Sequence, residues 1–213
     1  MFITFEGLDG SGKSTAIDNL KKYVKKNYKN KDFLFTREPG GTGIKEAEYI
    51  RNFVLSPEFE IDPMSEALLY LVSRKIHITR IINPALLDNK IVICDRFIDS
   101  SLAYQGKGRN LGIPKIQELN SIVTNNMKPD FTFFFRISPK VAIERLNKQN
   151  KGLDRLENGG LEFYEKVFDG YETIIKNDFK RFIIIDGTLS IEKVANIVIN
   201  EFDKIFNNKL TTN

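Results

Sequence analysis

Cysteine is nearly absent from this chain: Cys94 is the only one among 213 residues. A disulfide within the chain is excluded, and so is a metal site built on thiolates. This fits a reducing cytoplasm. Histidine is equally scarce. His77 stands alone in a helical pattern, where packing or a surface position explains it better than catalysis. Long apolar runs are missing too. None approaches the roughly 20 residues a membrane helix needs, so no membrane partner is expected. The opening MFITFEGLDG has no basic region followed by an apolar one, and does not read as a signal peptide. Nor is one sign of charge in large excess. The formal net charge is +4, too little to demand nucleic acid, though it suits an anionic substrate.

What remains is ordinary in composition and informative in pattern. Hydrophobic residues make up 41% and charged residues 28%, which places the chain among globular domains. Its length suits a single domain over residues 1–213. Five short apolar runs stand out: Phe2–Glu6, Phe33–Thr36, Ile91–Asp95, Phe131–Ile137 and Phe182–Asp186. They are rich in β-branched and aromatic residues and nearly continuous, as strands covered on both faces of a parallel sheet are. Helical patterns lie between them. Ile17, Leu20, Val24 and Tyr28 follow helical spacing, and Ser65–Ile82 reads as a long helix ending before Asn83-Pro84. Ile116–Val123, Val141–Leu146 and Ile191–Phe206 complete the set, and the polar end Asn207–Asn213 reads as frayed. Alternating strands and helices predict a three-layer α/β domain with right-handed crossovers. The lysine-rich stretch Lys21–Lys31, with Tyr23 and Tyr28 interleaved, resembles a nucleic-acid patch. Its amphipathic spacing makes it the solvated face of the first helix instead.

The chemistry is announced at EGLDGSGKST. Gly7, four residues, then Gly12-Lys13-Ser14 match the phosphate-binding loop, directly after a strand and before a helix. The segment Gly7, Leu8, Asp9, Gly10, Ser11, Gly12, Lys13, Ser14 and Thr15 would curl its N–H groups around phosphate oxygens at a helix N-terminus. Lys13 would reach the β- and γ-phosphates of a nucleoside triphosphate, and Ser14 would ligate Mg²⁺. Asp9 is odd there, a carboxylate inside an anion cradle. A guanine-reading Asn-Lys-x-Asp is absent, since Asn147-Lys148-Gln149-Asn150 ends without the acid. A small kinase acting on a small molecule is therefore expected.

The acceptor side is written at three further places. TREPGGTG (Thr36–Gly43) puts Arg37 at a strand end before a tight turn that begins at Pro39. DRFIDSSLAYQG (Asp95–Gly106) puts Asp95 at a strand end, as a metal-holding acid sits, with Arg96 beside it. Tyr70 and Arg74 are four apart and share one helix face. Ligands of an open parallel sheet bind at this carboxyl edge. Two arginines and a lysine near one phosphate site suit an acceptor that itself carries phosphate.

Together EGLDGSGKST, TREPGGT, DRFIDSSLAYQG and LDRLE (Leu153–Glu157) closely resemble the bacterial thymidylate kinase family, in order and in spacing, from about Phe2 to the end of the last helix. The resemblance implies a P-loop kinase fold with a five-stranded parallel sheet, an acceptor region at about 36–106 and a short lid at about 145–157. It implies ATP with Mg²⁺ in the loop 7–15, the metal held by Ser14, Asp95 and Asp9. It implies dTMP against Asp9, Arg37, Pro39, Tyr70, Arg74, Arg96, Ser101, Tyr104 and Gln105. On this likeness Tyr70 stands where the family usually has a stacking Phe, Arg74 bonds the thymine edge and Tyr104 packs on the sugar. Asp9 would turn toward the acceptor, steadying the arginines, taking the 3′-hydroxyl or holding a metal-bound water. The family has two arrangements of its catalytic cation, one in the P-loop after the acid and one in the lid. Gly10 after Asp9 implies the lid type, with Arg155 contacting the transferred phosphoryl and Lys148 or Lys151 as alternatives. Lys13, Arg96, Arg155 and Asp9 thus form the expected catalytic set. The resemblance also implies a homodimer. Arg136 departs from the family, where an acid is common, and the likeness gives it no role. Two other readings stay open: another nucleotide or deoxynucleoside kinase, or a non-catalytic binding module using Lys21–Lys31.

Overall fold

A computed structural model describes residues 1–148, 155–156 and 159–210. Its elements run β1 (Phe2–Gly7), α1 (Lys13–Asn27), β2 (Phe33–Arg37), α2 (Lys45–Leu55), α3 (Pro63–His77), α4 (Asn83–Leu87), β3 (Ile91–Asp95), α5 (Ile98–Ser101), α6 (Ile113–Thr124), β4 (Phe131–Arg136), α7 (Pro139–Lys148), α8 (Gly160–Asn177), β5 (Phe182–Asp186) and α9 (Ile191–Leu210). All five expected strands are present. They form one parallel sheet in the order β2-β3-β1-β4-β5.

The near-continuous apolar runs follow from covering both faces. Along β4, Phe133 and Phe135 pack with Leu20 and Phe202 on one face, while Phe134 packs with Tyr171 and Leu102 on the other. Alternation of side chains across a strand divides one run of phenylalanines between two cores.

The helices differ from expectation at several points. The third helix begins earlier, at Pro63, where Asp62 caps the N–H groups of Met64 and Ser65 at 3.0 and 3.1 Å. It does not stop before Pro84. The chain stays helical through a π-turn at Ile78–Ile82 into α4. Widening the turn is one way a helix accommodates a proline that lacks an N–H. Residues 98–108 are helical, and Leu102–Gly108 is again π-type. The last helix holds to Leu210, past the expected fraying point. Helices α2 and α8, like α4 and α5, have no counterpart in the sequence reading. The Lys21–Lys31 stretch is the exposed side of α1 and the turn after it. Tyr23 and Tyr28 turn inward and both donate to Asp203 of α9, at 2.6 and 2.7 Å. No helix among the described residues is long and apolar enough to cross a membrane.

Candidate active site

β1 and β3 lie side by side, with Phe5 opposite Asp95, and the chain leaves them in different directions. Their carboxyl ends open a crevice, the place where such sheets bind ligands. A cleft of about 570 Å³ occupies it, lined by the P-loop, Arg37, Pro39, Tyr70, Arg74, Asp95, Arg96, Ser101, Tyr104 and Gln105. Most donor and acceptor residues named from sequence thus line one cavity; Gly7, Leu8, Ser11 and Arg155 do not.

The P-loop is shaped by backbone that side chains resist. Gly12, the residue before α1, has φ +96°, a left-handed conformation that glycine adopts without strain. Gly10 has φ +74°, and a Cβ there would meet the Ala142 carbonyl oxygen at 3.1 Å. Lys13 folds back on the loop and donates to the carbonyls of Leu8 and Gly7 at 2.8 and 3.2 Å. Its burial, and then the Arg96 cation, pull its pKa down to about 8. Ser14 donates to Asp95 Oδ2 at 3.1 Å. The other oxygen, Oδ1, is buried without a hydrogen-bond partner. A hydroxyl beside a carboxylate with a vacant acceptor fits a hydrated Mg²⁺, which takes one or two carboxylates and relies on phosphates for the rest.

Asp9 faces an arginine and two tyrosines. Its Oδ1 accepts from Arg96 at 2.5 Å, and its Oδ2 from the hydroxyls of Tyr104 at 2.8 Å and Tyr164 at 3.2 Å. Burial would push its carboxyl up, but Arg96 and then Lys13 outweigh that and hold it below the usual carboxylate value. Of the roles open to it, the structure shows the steadying of an arginine. Both oxygens already hold protein donors in this structure, Oδ1 one and Oδ2 two.

Arg96 is the most constrained side chain here. It has φ +70°, whereas the other described non-glycine residues with positive φ are all asparagines. Asparagine tolerates that region; arginine is strained in it, and such strain gathers at functional sites. The guanidinium also donates to the Gly7 carbonyl at 2.9 Å and to Ser100 at 3.1 Å, and it lies 5.1 Å from the Tyr104 ring centroid. Beneath it Glu6 is fully buried. Glu6 accepts from Phe97 N at 2.7 Å, Ser100 at 2.6 Å and Tyr171 at 2.8 Å. Burial, and then the Asp99 charge, push its pKa up to about 7.

The acceptor wall is equally tied. Arg74 donates through Nε to Glu38 at 2.7 Å, through Nη1 to Ser101 at 2.9 Å and to Asn120, and through Nη2 to Phe97 O at 3.0 Å. Four of its five N–H groups are thereby spent, and one is left for a ligand. Arg37 pairs with Glu48 at 2.9 Å and bonds the Pro39 carbonyl at 3.0 Å. His77 is buried between Thr36 at 2.7 Å and Glu38 at 3.1 Å, the packing role its position suggests. Arg136 also finds its place, pairing with Glu172 of α8 at 2.9 Å, away from the cleft lining.

Arg155 is the main departure. It is not among the residues lining the cleft. Its Nη2 meets Glu66 at 2.5 Å and its Nε the Val54 carbonyl at 2.9 Å. A buried carboxylate has taken the charge that was expected at the transferred phosphoryl. Among the described residues of the expected lid, Arg145 reaches the loop, bonded to the Gly10 carbonyl at 3.2 Å. Lys148 ends α7, whereas Lys151, Gly152 and Glu157 of the expected lid fall outside the described residues. Sequence reasoning also missed Arg51, which lines the cleft and bonds the Pro39 carbonyl at 3.0 Å. It missed the supporting carboxylates Glu6 and Glu38, and Tyr164 and Tyr171 of α8. The signal for α8 was present, with Phe163, Tyr164, Val167, Tyr171, Ile174 and Ile175 on one helical stripe.

Known proteins share this arrangement across nearly the whole chain. A family model described as thymidylate kinase matches residues 5–198. The chain is 46% identical over 207 residues to the thymidylate kinase of Mycoplasma mobile, covering 96% of this chain and 99% of that one. To the thymidylate kinase of Lactobacillus acidophilus it is 43% identical over 202 residues, covering 94% and 92%. The crystal structure of thymidylate kinase from Ehrlichia chaffeensis matches with a TM-score of 0.76 at 37% identity, over 97% of this chain and 98% of that one. With sequence, fold and the phosphate loop all in agreement, the chain belongs to the thymidylate kinase family.

Proposed function

We propose that this chain transfers the γ-phosphoryl group of ATP to dTMP, giving dTDP and ADP. One observation carries the reading. Arg96, the acceptor-side cation, is bonded directly to the Gly7 carbonyl of the P-loop at 2.9 Å, so two anion-holding groups meet in one cleft. A kinase for a phosphate acceptor has to bring two anions together, and it works by placement and charge compensation rather than by a strong base. Lys13 and the loop N–H groups hold the donor phosphates. Arg96 and Arg37 hold the acceptor phosphate, with Arg51 at hand. Tyr70 offers a π-face for the base, Arg74 its remaining N–H, and Ser101, Gln105 and Pro39 complete the pocket. Tyr104 backs the sugar while fixing Asp9. When Mg²⁺ is bound, by Ser14 and Asp95, it offsets charge on the β- and γ-oxygens.

The chain would act as one domain, with the region 145–157 supplying a lid that keeps water out. Arg145 is the lid-side cation best supported as the partner of the P-loop. A homodimer belongs to the same reading, supported by exposed Leu68 and Val72 on α3 and Ile122 on α6. So does a cytoplasmic setting, supported by the unpaired, buried Cys94. An ATP-to-ADP coupled assay across dTMP, dUMP, dCMP, dGMP and thymidine tests the activity. Turnover dominated by dTMP is expected. Preference for thymidine, or no turnover, overturns it. Sedimentation before and after Val72→Lys tests the dimer, with a shift to monomer expected.

A further inference from the structure

Glu66 has no place in the chemistry above, yet it is the most heavily used carboxylate outside it. It lies in the first turn of α3 and its side chain is fully buried. Its Oε1 accepts from Gln105 at 2.8 Å and from Arg109 Nε at 3.4 Å. Its Oε2 pairs with Arg109 Nη2 at 3.2 Å and with Arg155 Nη2 at 2.5 Å. Arg155 is fixed in turn to the end of α2, its main-chain N–H donating to the Leu55 carbonyl at 3.1 Å and its Nε to that of Val54 at 2.9 Å.

The ties through Gln105 and Arg155 end on walls of the cleft. Gln105 lines it, and so do Leu55 and Leu156, on either side of the Arg155 anchor. Tyr70 and Arg74 follow Glu66 at i+4 and i+8, on the same face of α3. Burying a carboxylate with two guanidiniums costs more desolvation than an apolar replacement would, so stability alone is a weak reason to keep it. We propose that Glu66 is a positioning residue for the phosphoryl acceptor, holding Gln105 directly and the Leu55–Leu156 wall through Arg155. Arg155 is then a tether, not a contact of the reacting phosphoryl group. The acceptor pocket keeps its width because one carboxylate joins α3, the helical segment after α5, the end of α2 and the chain at Arg155.

The inference rests on the cleft's being an acceptor pocket, and the test separates the two claims. The acceptor that the wild-type protein turns over best is identified first; should it not be dTMP, the substrate reading fails and the same experiment runs with the acceptor found. Glu66→Gln, Arg155→Met, the double variant and Arg155→Lys are compared by KM for acceptor, KM for ATP, kcat and Tm. Each single loss is expected to raise the acceptor KM roughly tenfold with the ATP KM within about twofold, and the double variant to be no worse than about tenfold, because one tether is cut twice. Arg155→Lys is expected to recover most of the loss. Additive losses, or both KM values rising together as Tm falls, overturn the proposal. So does a collapse of kcat in Arg155→Met that Glu66→Gln does not share, because Arg155 would then touch the phosphoryl group itself. If Glu66→Gln does not fold, the two Arg155 variants still decide between a KM effect and a kcat effect.

Discussion

The two ends of the cleft are built differently. At the donor end, Lys13 bonds Gly7, Leu8 and Ser11, all within six residues of it in the chain. At the acceptor end, Arg74 reaches 36 residues to Glu38, Arg96 reaches 87 to Asp9, and Arg155 reaches 89 to Glu66. The donor end is one turn of chain, held by glycine conformation and backbone carbonyls. The acceptor end is a set of cations, each pinned by a carboxylate from another element. Local construction leaves Lys13 free to exchange its carbonyls for phosphate. Long-range pairing fixes the arginines before any ligand arrives, which is preorganisation in its electrostatic form.

Substitutions that hit one end alone put the difference to work. Lys13→Ala should lower kcat by more than about 100-fold, the scale of a key electrostatic contact, while leaving Tm near the wild-type value. Arg96→Ala should cost a comparable factor, roughly 100-fold in kcat, but lower Tm as well, because Asp9 and Tyr104 lose their partner. Equal Tm values in the two variants would erase the contrast. Asp9→Asn keeps the shape and removes the charge that fixes Arg96. It should reduce kcat/KM for dTMP by about tenfold and spare ATP binding. Steady-state kinetics with each substrate varied in turn would decide.

Two pH effects are smaller. In the ligand-free protein the Lys13 ammonium loses its proton as pH rises through about 8. ATP affinity, measured by calorimetry, should therefore weaken above that pH, by at most about tenfold per unit. Glu6 titrates at about 7 in the folded chain, above its ordinary value of 4.5. Between those values the folded state binds the extra proton, so Glu6 makes stability fall as pH rises from about 4.5 to 7. Glu6→Gln should flatten that part of the urea-stability profile relative to wild type. An unchanged slope would place its titration elsewhere.

The same contrast explains what the sequence made legible. The P-loop, its flanking strand and helix, and all five strands depend on neighbours in the chain, and could be read from it. Asp95 and Arg96 were found because they end a strand. Glu38 and Glu66 were not, because a carboxylate's worth here comes from an arginine dozens of residues away. Arg155 shows the cost of that blindness: its motif was recognised, but its partner was not visible. The helical form of Leu102–Gly108 was hidden for another reason, since π-type turns leave no 3.6-residue signature. The stripe of α8 was visible and was overlooked beside the lid that precedes it.

Gly10 has an evolutionary consequence. Its backbone is left-handed, and a Cβ there would sit 3.1 Å from the carbonyl oxygen of Ala142 in α7. Exchanging that one glycine for arginine would strain the left-handed turn of the loop. Helix α7 would have to give by a few tenths of an ångström, and Arg145, which rides on it, would shift with it. A lineage that placed arginine at position 10 would therefore meet a strained turn and pressure on α7 together.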